Sequence, residues 1–443
     1  MSYIISEFGI IRNKSDYAGI PVKDAFNEVY LPSKPFESLM RFIAENNDPS
    51  SGIDQAFSVH LRNGKYFICV KNFVGLIETQ DGTTLEILPK IFRSQSHDDQ
   101  TDISYCRNIL LRMLRCLKDS PFIRINQASL RTAKLPILEI FTSLFLDEFE
   151  LILQRGIKQH YVTKRENEVT LKGRLLIEQH VRQNFLKKQF FFVEYDEFQA
   201  DIPQNRILKA ALTVLNTKTR STRNRLRLVN YLALLDEIPL PGNLEKDLQD
   251  ACNHSRLFNY YKQALQWARI FLKGESFTSF KGKEVNQAIL FPMEQLFEAY
   301  VADQFRRSLT KWDVQAQDRI YHLIENHNGE RKFRLRPDMV VSDDAVKIVA
   351  DTKWKIVNQH VPAKNYLISQ ADLYQLYAYG KKYQQEGKEV RLMLIYPKHI
   401  DFTRFLTFEY DSGLRIDVVP YDFEDPEIQC FPCFLEYSPY PAT

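Results

Sequence analysis

Two strand-like runs, FRLRPDMVV (333–341) and VKIVADTKWK (346–355), flank the short polar segment Ser342, Asp343, Asp344 and Ala345. A connection this short joins only neighbouring antiparallel strands, so the segment is constrained to a β-hairpin. With the turn centred on Asp343-Asp344, Val341 pairs with Val346 and Asp338 with Val349. Side chains alternate between the two faces of a strand. One face then carries Phe333, Leu335, Pro337, Met339, Val341, Val346, Ile348, Ala350, Thr352 and Trp354, and is expected to be core. The other gathers Asp338, Asp351 and Lys353, beside Arg334, Arg336, Lys347 and Val349. Pro337 qualifies this pattern. Proline in a strand favours edges and bulges, and a bulge there changes the face that Asp338 takes.

Two carboxylates converging on one point repel each other. A divalent cation relieves the repulsion, and hard oxygen ligands suit Mg²⁺, with Mn²⁺ able to substitute. Asp338 and Asp351 are the candidate metal ligands, with the backbone carbonyl of Thr352 as a third. Such an ion polarises a phosphate and lowers the pKa of a bound water. Lys353 supplies a cation for charge developing on phosphorus. The hairpin therefore holds the parts for phosphodiester hydrolysis. The same residues also suit a solvated hairpin face of mixed charge.

The segment SQADLYQLYAYG, which follows, carries Gln-x-x-x-Tyr twice, as Gln370/Tyr374 and Gln375/Tyr379. Residues four apart share a helix face, so each pair reads either as a functional element or as part of a Tyr-rich helix packed on the sheet. Upstream, MEQLFEAY offers Glu298, and one turn earlier Glu294, as a further carboxylate.

Composition narrows the setting. The 443 residues are 44% hydrophobic and 26% charged, ordinary for soluble globular domains and long enough for two or three of them. The formal net charge is only +3, so any footprint for nucleic acid must come from local clustering. One cluster, NTKTRSTRNRLRL, carries Lys218, Arg220, Arg223, Arg225 and Arg227. It reads as phosphate contact or as a solvated loop between helices. The N-terminus lacks the basic and apolar regions of a secretory signal, and no run approaches the roughly 18 apolar residues that span a bilayer; the expected place is the cytoplasm. There is no GxxxxGK[ST], so no GTP site is expected in this chain. Of six cysteines, Cys430 and Cys433 form a CxxC, which Cys252 extends to three ligands at most. A structural zinc site usually takes four, so ordinary thiols are expected, with metal binding the alternative.

Residues 1–100 read as a β-rich N-terminal domain, with hairpin turns at Asn63-Gly64 and Asp81-Gly82 and a helix over KPFESLMRFIAENN. The stretch SQSHDDQT (94–101) reads as a linker. Residues 101–280 read as a mainly helical middle domain, interrupted by a β-like patch at HYVTKRENEVTLKGRLLI. Residues 281–443 read as an α/β unit opened by one long amphipathic helix, VNQAILFPMEQLFEAYVADQFRRSLT. The fold class is α+β and α/β in a multidomain chain.

RPDMVV, VADTKWK and QADLYQLYAYG, in this order, resemble the nuclease core of the McrC family, the endonuclease subunit of McrBC restriction systems for methylated DNA. LKGRLLIEQHVRQNF, QADIPQNRILKAAL and VGLIETQDGTTLEILPKIF extend the resemblance upstream, to about four-fifths of the chain in patches. The resemblance implies a C-terminal PD-(D/E)xK, restriction-endonuclease-like domain behind regions that dock on McrB, an AAA+ GTPase hexamer. That motor would hydrolyse GTP, translocate the DNA and read the modified site, while the McrC-like chain stimulates the GTPase and cuts double-stranded DNA with Mg²⁺. By motif, Asp338 matches the PD aspartate, Asp351 the second acid, Lys353 the catalytic lysine, and Gln375 and Tyr379 the QxxxY element. Glu298 matches the opening helix more loosely. A stand-alone nuclease of the same fold and a non-catalytic activator scaffold for a partner NTPase are the alternatives.

Overall fold

The computed structural model describes residues 2–45, 56–79, 81–91, 99–118, 120–125, 135–252, 256–273, 285–384, 389–410 and 414–424. Cys430, Cys433 and most of the expected linker lie outside them. The chain forms two compact units, Leu138–Glu275 and a second built from Met1–Ile137 together with Ser276–Thr443. This division differs from the expected three consecutive segments, because both ends of the chain share one unit.

The first half of that unit contains β1 (Ser2–Ser6), β2 (Ile10–Asn13), β3 (Glu28–Leu31), α1 (Ser33–Glu45), β4 (Phe57–Arg62), β5 (Lys65–Val70), β6 (Phe73–Thr79), β7 (Thr84–Leu88) and α2 (Asp99–Arg115). The hairpin β4–β5 turns at Asn63-Gly64, where both residues have positive φ (52° and 73°), as a two-residue type I′ turn requires. One sheet runs in the order β3-β2-β5-β4. Its apolar residues, including Ile11, Val29 and Ile68, pack with Phe36, Leu39 and Phe42 of α1 in one core.

The unit Leu138–Glu275 contains α3 (Ile137–Arg155) from its second residue onward, β8 (His160–Glu168), β9 (Arg174–Leu175), α4 (Ile177–Asn184), β10 (Phe191–Gln199), α5 (Pro203–Lys218), α6 (Thr222–Leu234), α7 (Leu244–Cys252) and α8 (Lys262–Lys273). The sequence pattern did not reveal β10. Its nine residues mix aromatics with acids and become a strand by pairing along their whole length with β8. Buried Glu139 of α3 ties down the α5–α6 turn, accepting from the Thr219 hydroxyl (2.7 Å), the Arg220 amide (2.5 Å) and Asn224 Nδ2 (2.9 Å). In the basic cluster, Arg223, Arg225 and Arg227 lie on α6 rather than in a loop, and Arg227 pairs with Asp147 (2.8 Å) and Glu150 (3.0 Å).

The second half of the larger unit begins with β11 (Val285–Pro292), then α9 (Met293–Ser308). The long helix expected here is therefore shorter than its pattern. Its first residues pair antiparallel with β6 instead, completing the sheet β1-β7-β6-β11. The apolar run Ala288–Phe291 fits a buried strand as well as a helix, and Pro292 marks the change as the N-cap of α9. There follow β12 (Asp313–Ala316), β13 (His322–His327), β14 (Glu330–Arg334), β15 (Met339–Ser342), β16 (Val346–Thr352), α10 (Gln370–Tyr383), β17 (Glu389–Pro397), β18 (Leu406–Glu409) and β19 (Arg415–Tyr421). Six of these strands form a mixed sheet, β12-β15-β16-β17-β19-β18.

The hairpin β15–β16 is present with a corrected register. Val341 pairs with Ile348 and Val340 with Val349, two residues from the expected alignment. Asp343 causes the shift: its carboxylate accepts from the amides of Ala345 (2.8 Å) and Val346 (2.7 Å), widening the turn. A slip of one residue would exchange the faces; a slip of two restores them. The expected single strand 333–341 is split, because Pro337 falls between β14 and β15. Phe333 consequently lies outside the core, 73% exposed. The other face is not solvated either: Val340 and Val349 pack with Leu376 and Tyr379 of α10.

Gly75, in the middle of β6, has φ +136°, and a Cβ there would meet the Ile289 carbonyl oxygen at 2.0 Å. Gly75→Ala should therefore separate β6 from β11 and cost roughly 2 kcal/mol or more. A thermal-unfolding midpoint lowered by several degrees is expected; an unchanged midpoint would show that the two strands are not held together here.

Candidate active site

β16 lies inside the sheet, antiparallel to β15 on one side and parallel to β17 on the other. The ladder to β15 ends at Met339↔Ala350. One step further along the same register, Asp338 stands opposite Asp351. Opposed residues of an antiparallel pair project to the same face, so the two carboxylates meet where the strands part. The backbone fixes the arrangement. The Thr352 amide and hydroxyl both donate to Asp338 Oδ2 at 2.7 Å, and the Lys353 amide donates to the Ile395 carbonyl of β17 at 2.9 Å.

Asp351 is 2% exposed. Its Oδ2 faces the Lys353 ammonium and takes no other hydrogen bond among the described residues. Lys353 Nζ also donates to Gln375 Oε1 at 3.1 Å. Gln375 Nε2 donates to the Tyr379 hydroxyl (2.8 Å), which donates to the Arg336 carbonyl (3.2 Å). The second Gln-x-x-x-Tyr pair thus runs from the lysine back to the strand leading into Asp338. Gln370 and Tyr374 bond to each other at 2.5 Å on an exposed part of α10 and take no part.

Glu298 of α9 joins from the other side. It accepts from Gln317 Nε2 (2.9 Å), and the Gln317 amide donates to the Asp338 carbonyl (2.8 Å). Asp351, Lys353, Gln375, Tyr379 and Glu298 are therefore linked to Asp338 and to one another by bonds or by charge, and Glu294, one turn before Glu298, adds negative charge at Asp338.

Electrostatics mark the same point. Burial, then the charge of Asp338, holds the Asp351 carboxyl above the ordinary range, with Lys353 opposing. Burial also raises Asp338, against the hydrogen bonds from Thr352. Glu298 is raised by burial and by Asp338. Burial disfavours the Lys353 ammonium, but Asp351, Asp338 and Asp372 outweigh it and hold the amine protonated. Among the described residues no three His, Cys, Asp or Glu side chains form a metal cage by themselves. A cation here would rest on Asp338, Asp351 and oxygens of backbone or water, the partial shell typical of Mg²⁺. Buried, mutually raised carboxylates with an under-bonded oxygen suit such an ion.

Two supports escaped the sequence. Asp372 of α10 binds Lys355 Nζ through both oxygens (2.9 Å each), accepts from the Tyr396 hydroxyl (3.2 Å) and adds negative charge at Asp351. It lies three residues before Gln375 and seven before Tyr379, so helical periodicity could have found it. Glu7, just beyond β1, accepts from Trp354 Nε1 at 2.8 and 3.0 Å and from the Lys90 amide at 2.8 Å. No local pattern links residues so far apart in sequence.

A family model described as McrBC 5-methylcytosine restriction system component matches residues 68–397. The chain belongs to that family, and the resemblance read from its motifs is borne out. No curated protein matches it by sequence. A solved structure of Thermococcus gammatolerans McrB AAA+ hexamers with bound McrC, a refined half-complex from a tetradecameric assembly, is similar with a TM-score of 0.68 and 20% identity, covering 96% of each chain. A cryo-EM structure of the Thermococcus gammatolerans McrBC complex matches 70% of this chain and 88% of that chain at 20% identity, with a TM-score of 0.49. At this identity the first likeness concerns the fold, a mixed α/β multidomain architecture. No helix among the described residues is long and apolar enough to cross a membrane.

Glu7 offers a test of how the strand after Lys353 is held. Full burial pushes its carboxyl up to about 7, against the hydrogen bonds from Lys90 and Trp354. A carboxyl raised on folding contributes stability that is complete below its ordinary pKa near 4.3 and is lost as pH rises through about 7. Between pH 4.5 and 8 the wild type should lose up to ~3 kcal/mol relative to Glu7→Gln. Denaturation curves across that range check this; parallel curves for the two proteins would contradict it.

Proposed function

We propose that this chain is the DNA-cutting subunit of a modified-DNA restriction system, a Mg²⁺-dependent endodeoxyribonuclease of the PD-(D/E)xK type. The observation that carries the reading is the placement of Asp338 opposite Asp351 with Lys353 held between Asp351 and Gln375. Asp338 and Asp351 would hold Mg²⁺, with the Thr352 carbonyl as a further ligand and Mn²⁺ able to substitute. The bound ion would polarise the scissile phosphate and acidify a water. Lys353 places its ammonium where negative charge grows on the phosphate. Gln375 and Tyr379 fix the lysine's direction, and Glu298 is available to orient water at the edge of the carboxylate pair.

In this reading a McrB-like AAA+ GTPase hexamer is the partner. The similar solved structure contains McrC bound to such hexamers, and this sequence lacks a phosphate-binding GxxxxGK[ST] of its own. The mainly helical unit would contact the motor, the N-terminal β-rich region would dock on it or on DNA, and the motor would deliver 5-methylcytosine-containing duplex to the site.

The test combines the purified chain, methylated plasmid, Mg²⁺ and the partner GTPase, with and without GTP. The wild type should cut only with partner and GTP. Asp351→Ala and Lys353→Ala should each lower cutting by about 10²-fold or more while still stimulating GTP hydrolysis. Cutting without nucleotide or partner would instead indicate a stand-alone nuclease. Equal behaviour of Asp351→Ala and wild type would sink the nuclease reading and leave an activator scaffold.

A further inference from the structure

β13 and β14 form a two-stranded ribbon of their own, outside the six-stranded sheet. Its residues are exposed from Leu323 to Arg334. An isolated hairpin has little stability in water, so this one depends on its base. There Tyr321 packs edge-on against Tyr383 of α10 (4.7 Å), the Leu335 amide donates to the Tyr321 carbonyl (2.9 Å), and Lys382 reaches Glu325 (2.7 Å). Both legs start in the candidate site. The first leaves from Gln317, which holds Glu298 and the Asp338 backbone; the second returns through Arg336, whose carbonyl holds Tyr379, directly into Asp338. Six residues of antiparallel strand reach about 20 Å, so the ribbon is about as long as a DNA duplex is wide.

Its charge is one-sided. Residues 319–336 contain five Arg or Lys and two Glu, an excess equal to the formal +3 of the entire chain. Glu325 and Glu330 are engaged by Arg331, Lys332 and Lys382. Arg319, Arg334 and Arg336 are exposed and have no carboxylate partner among the described residues; Arg319 and Arg334 bond only to Gln317 and His322. Between these cations stands Phe333, 73% exposed, at φ +56°. A bulky residue held in the left-handed region and in water is unusual, and such positions gather where a ligand is engaged.

We propose that this ribbon is a DNA arm. It enters the major groove of the duplex presented to the site, with Arg319, Arg334 and Arg336 on the flanking phosphates and Phe333 against base edges. The major groove admits a two-stranded ribbon, and its methyl-bearing edges accept apolar contacts. The arm explains how a chain with little net charge grips a polyanion close to its carboxylates. It rests on the nuclease reading, since both assume that duplex DNA lies at Asp338 and Asp351.

The test measures binding of the full chain to a short fluorescein-labelled duplex by anisotropy, in Ca²⁺ without Mg²⁺, across a range of salt. The triple variant Arg319→Gln, Arg334→Gln, Arg336→Gln should bind at least about tenfold more weakly and show a salt slope shallower by about two to three, since each lost phosphate contact releases about one counterion fewer. The triple Arg→Lys variant should keep the wild-type slope. Phe333→Gly, which relieves the backbone, should weaken binding severalfold at an unchanged slope. Wild-type affinity and slope in the Arg→Gln variant, with an unchanged circular dichroism spectrum, would overturn the arm. So would normal DNA binding combined with lost stimulation of the GTPase, which would assign the ribbon to the motor. Asp351→Ala separates the two claims: if it binds DNA but cannot cut while the ribbon variants bind normally, the arm fails and the nuclease reading stands. If Asp351→Ala cuts, the nuclease reading fails whatever the isotherms show.

Discussion

A buried carboxylate on an interior strand, facing a second carboxylate, is the constraint on which the rest of this site depends. Asp351 cannot turn to solvent, because β16 is hydrogen-bonded on both edges and the residue is 2% exposed. Asp338 cannot retreat, because the amide and hydroxyl of Thr352 grip one of its oxygens. Burying a charge is expensive unless it is paired, and one ammonium, Lys353, faces two carboxylates here. The fold thus concentrates negative charge at a point where one carboxylate oxygen meets only the Lys353 ammonium among the described residues, an arrangement that a bound cation would relieve.

The surroundings keep that arrangement from relaxing. α10 lies against β16 and β17, and its Leu376, Tyr379 and Tyr383 share a core with Val340, Val349 and Leu392. α9 approaches β16 as well, with Phe297 packed on Trp354 (5.3 Å) and Tyr421 (5.9 Å). Trp354 in turn donates to Glu7, so the strand end carrying Lys353 is tied to the N-terminal sheet. α2 adds further ties within the same unit: Arg107 to Glu86, and Arg112 to the Phe423 carbonyl (2.8 Å) and the Tyr300 hydroxyl (2.5 Å). Side chains whose rotamers are locked by packing and by hydrogen bonds from their neighbours keep their mutual geometry.

The site was more legible in the sequence than the chain's division into units. Period-two alternation places Asp338, Asp351 and Lys353 on one face, and a register offset of two residues leaves the faces unchanged. Four-residue spacing identified Gln375 and Tyr379 as a pair, although it did not distinguish them from Gln370 and Tyr374; only the position of Lys353 does that. Local patterns failed where long-range pairing decides. β10 becomes a strand through β8, and β11 through β6, a partner some two hundred residues earlier in the chain. That second pairing unites the two ends of the chain in one unit. Phe333 departs from the expected core face for a related reason: it belongs to the separate ribbon β13–β14, and its positive φ interrupts the alternation before buried Leu335.

The most direct test of the central claim is a titration of the purified chain with Mn²⁺, followed by the loss of the free ion's electron paramagnetic resonance signal. The wild type should bind Mn²⁺ in competition with Mg²⁺, and Asp338→Asn and Asp351→Asn should each lose that binding, while Gln370→Ala, on the exposed part of α10, retains it. Binding of equal strength in the two aspartate variants and the wild type, or none in the wild type, would mean that the paired carboxylates do not hold a cation.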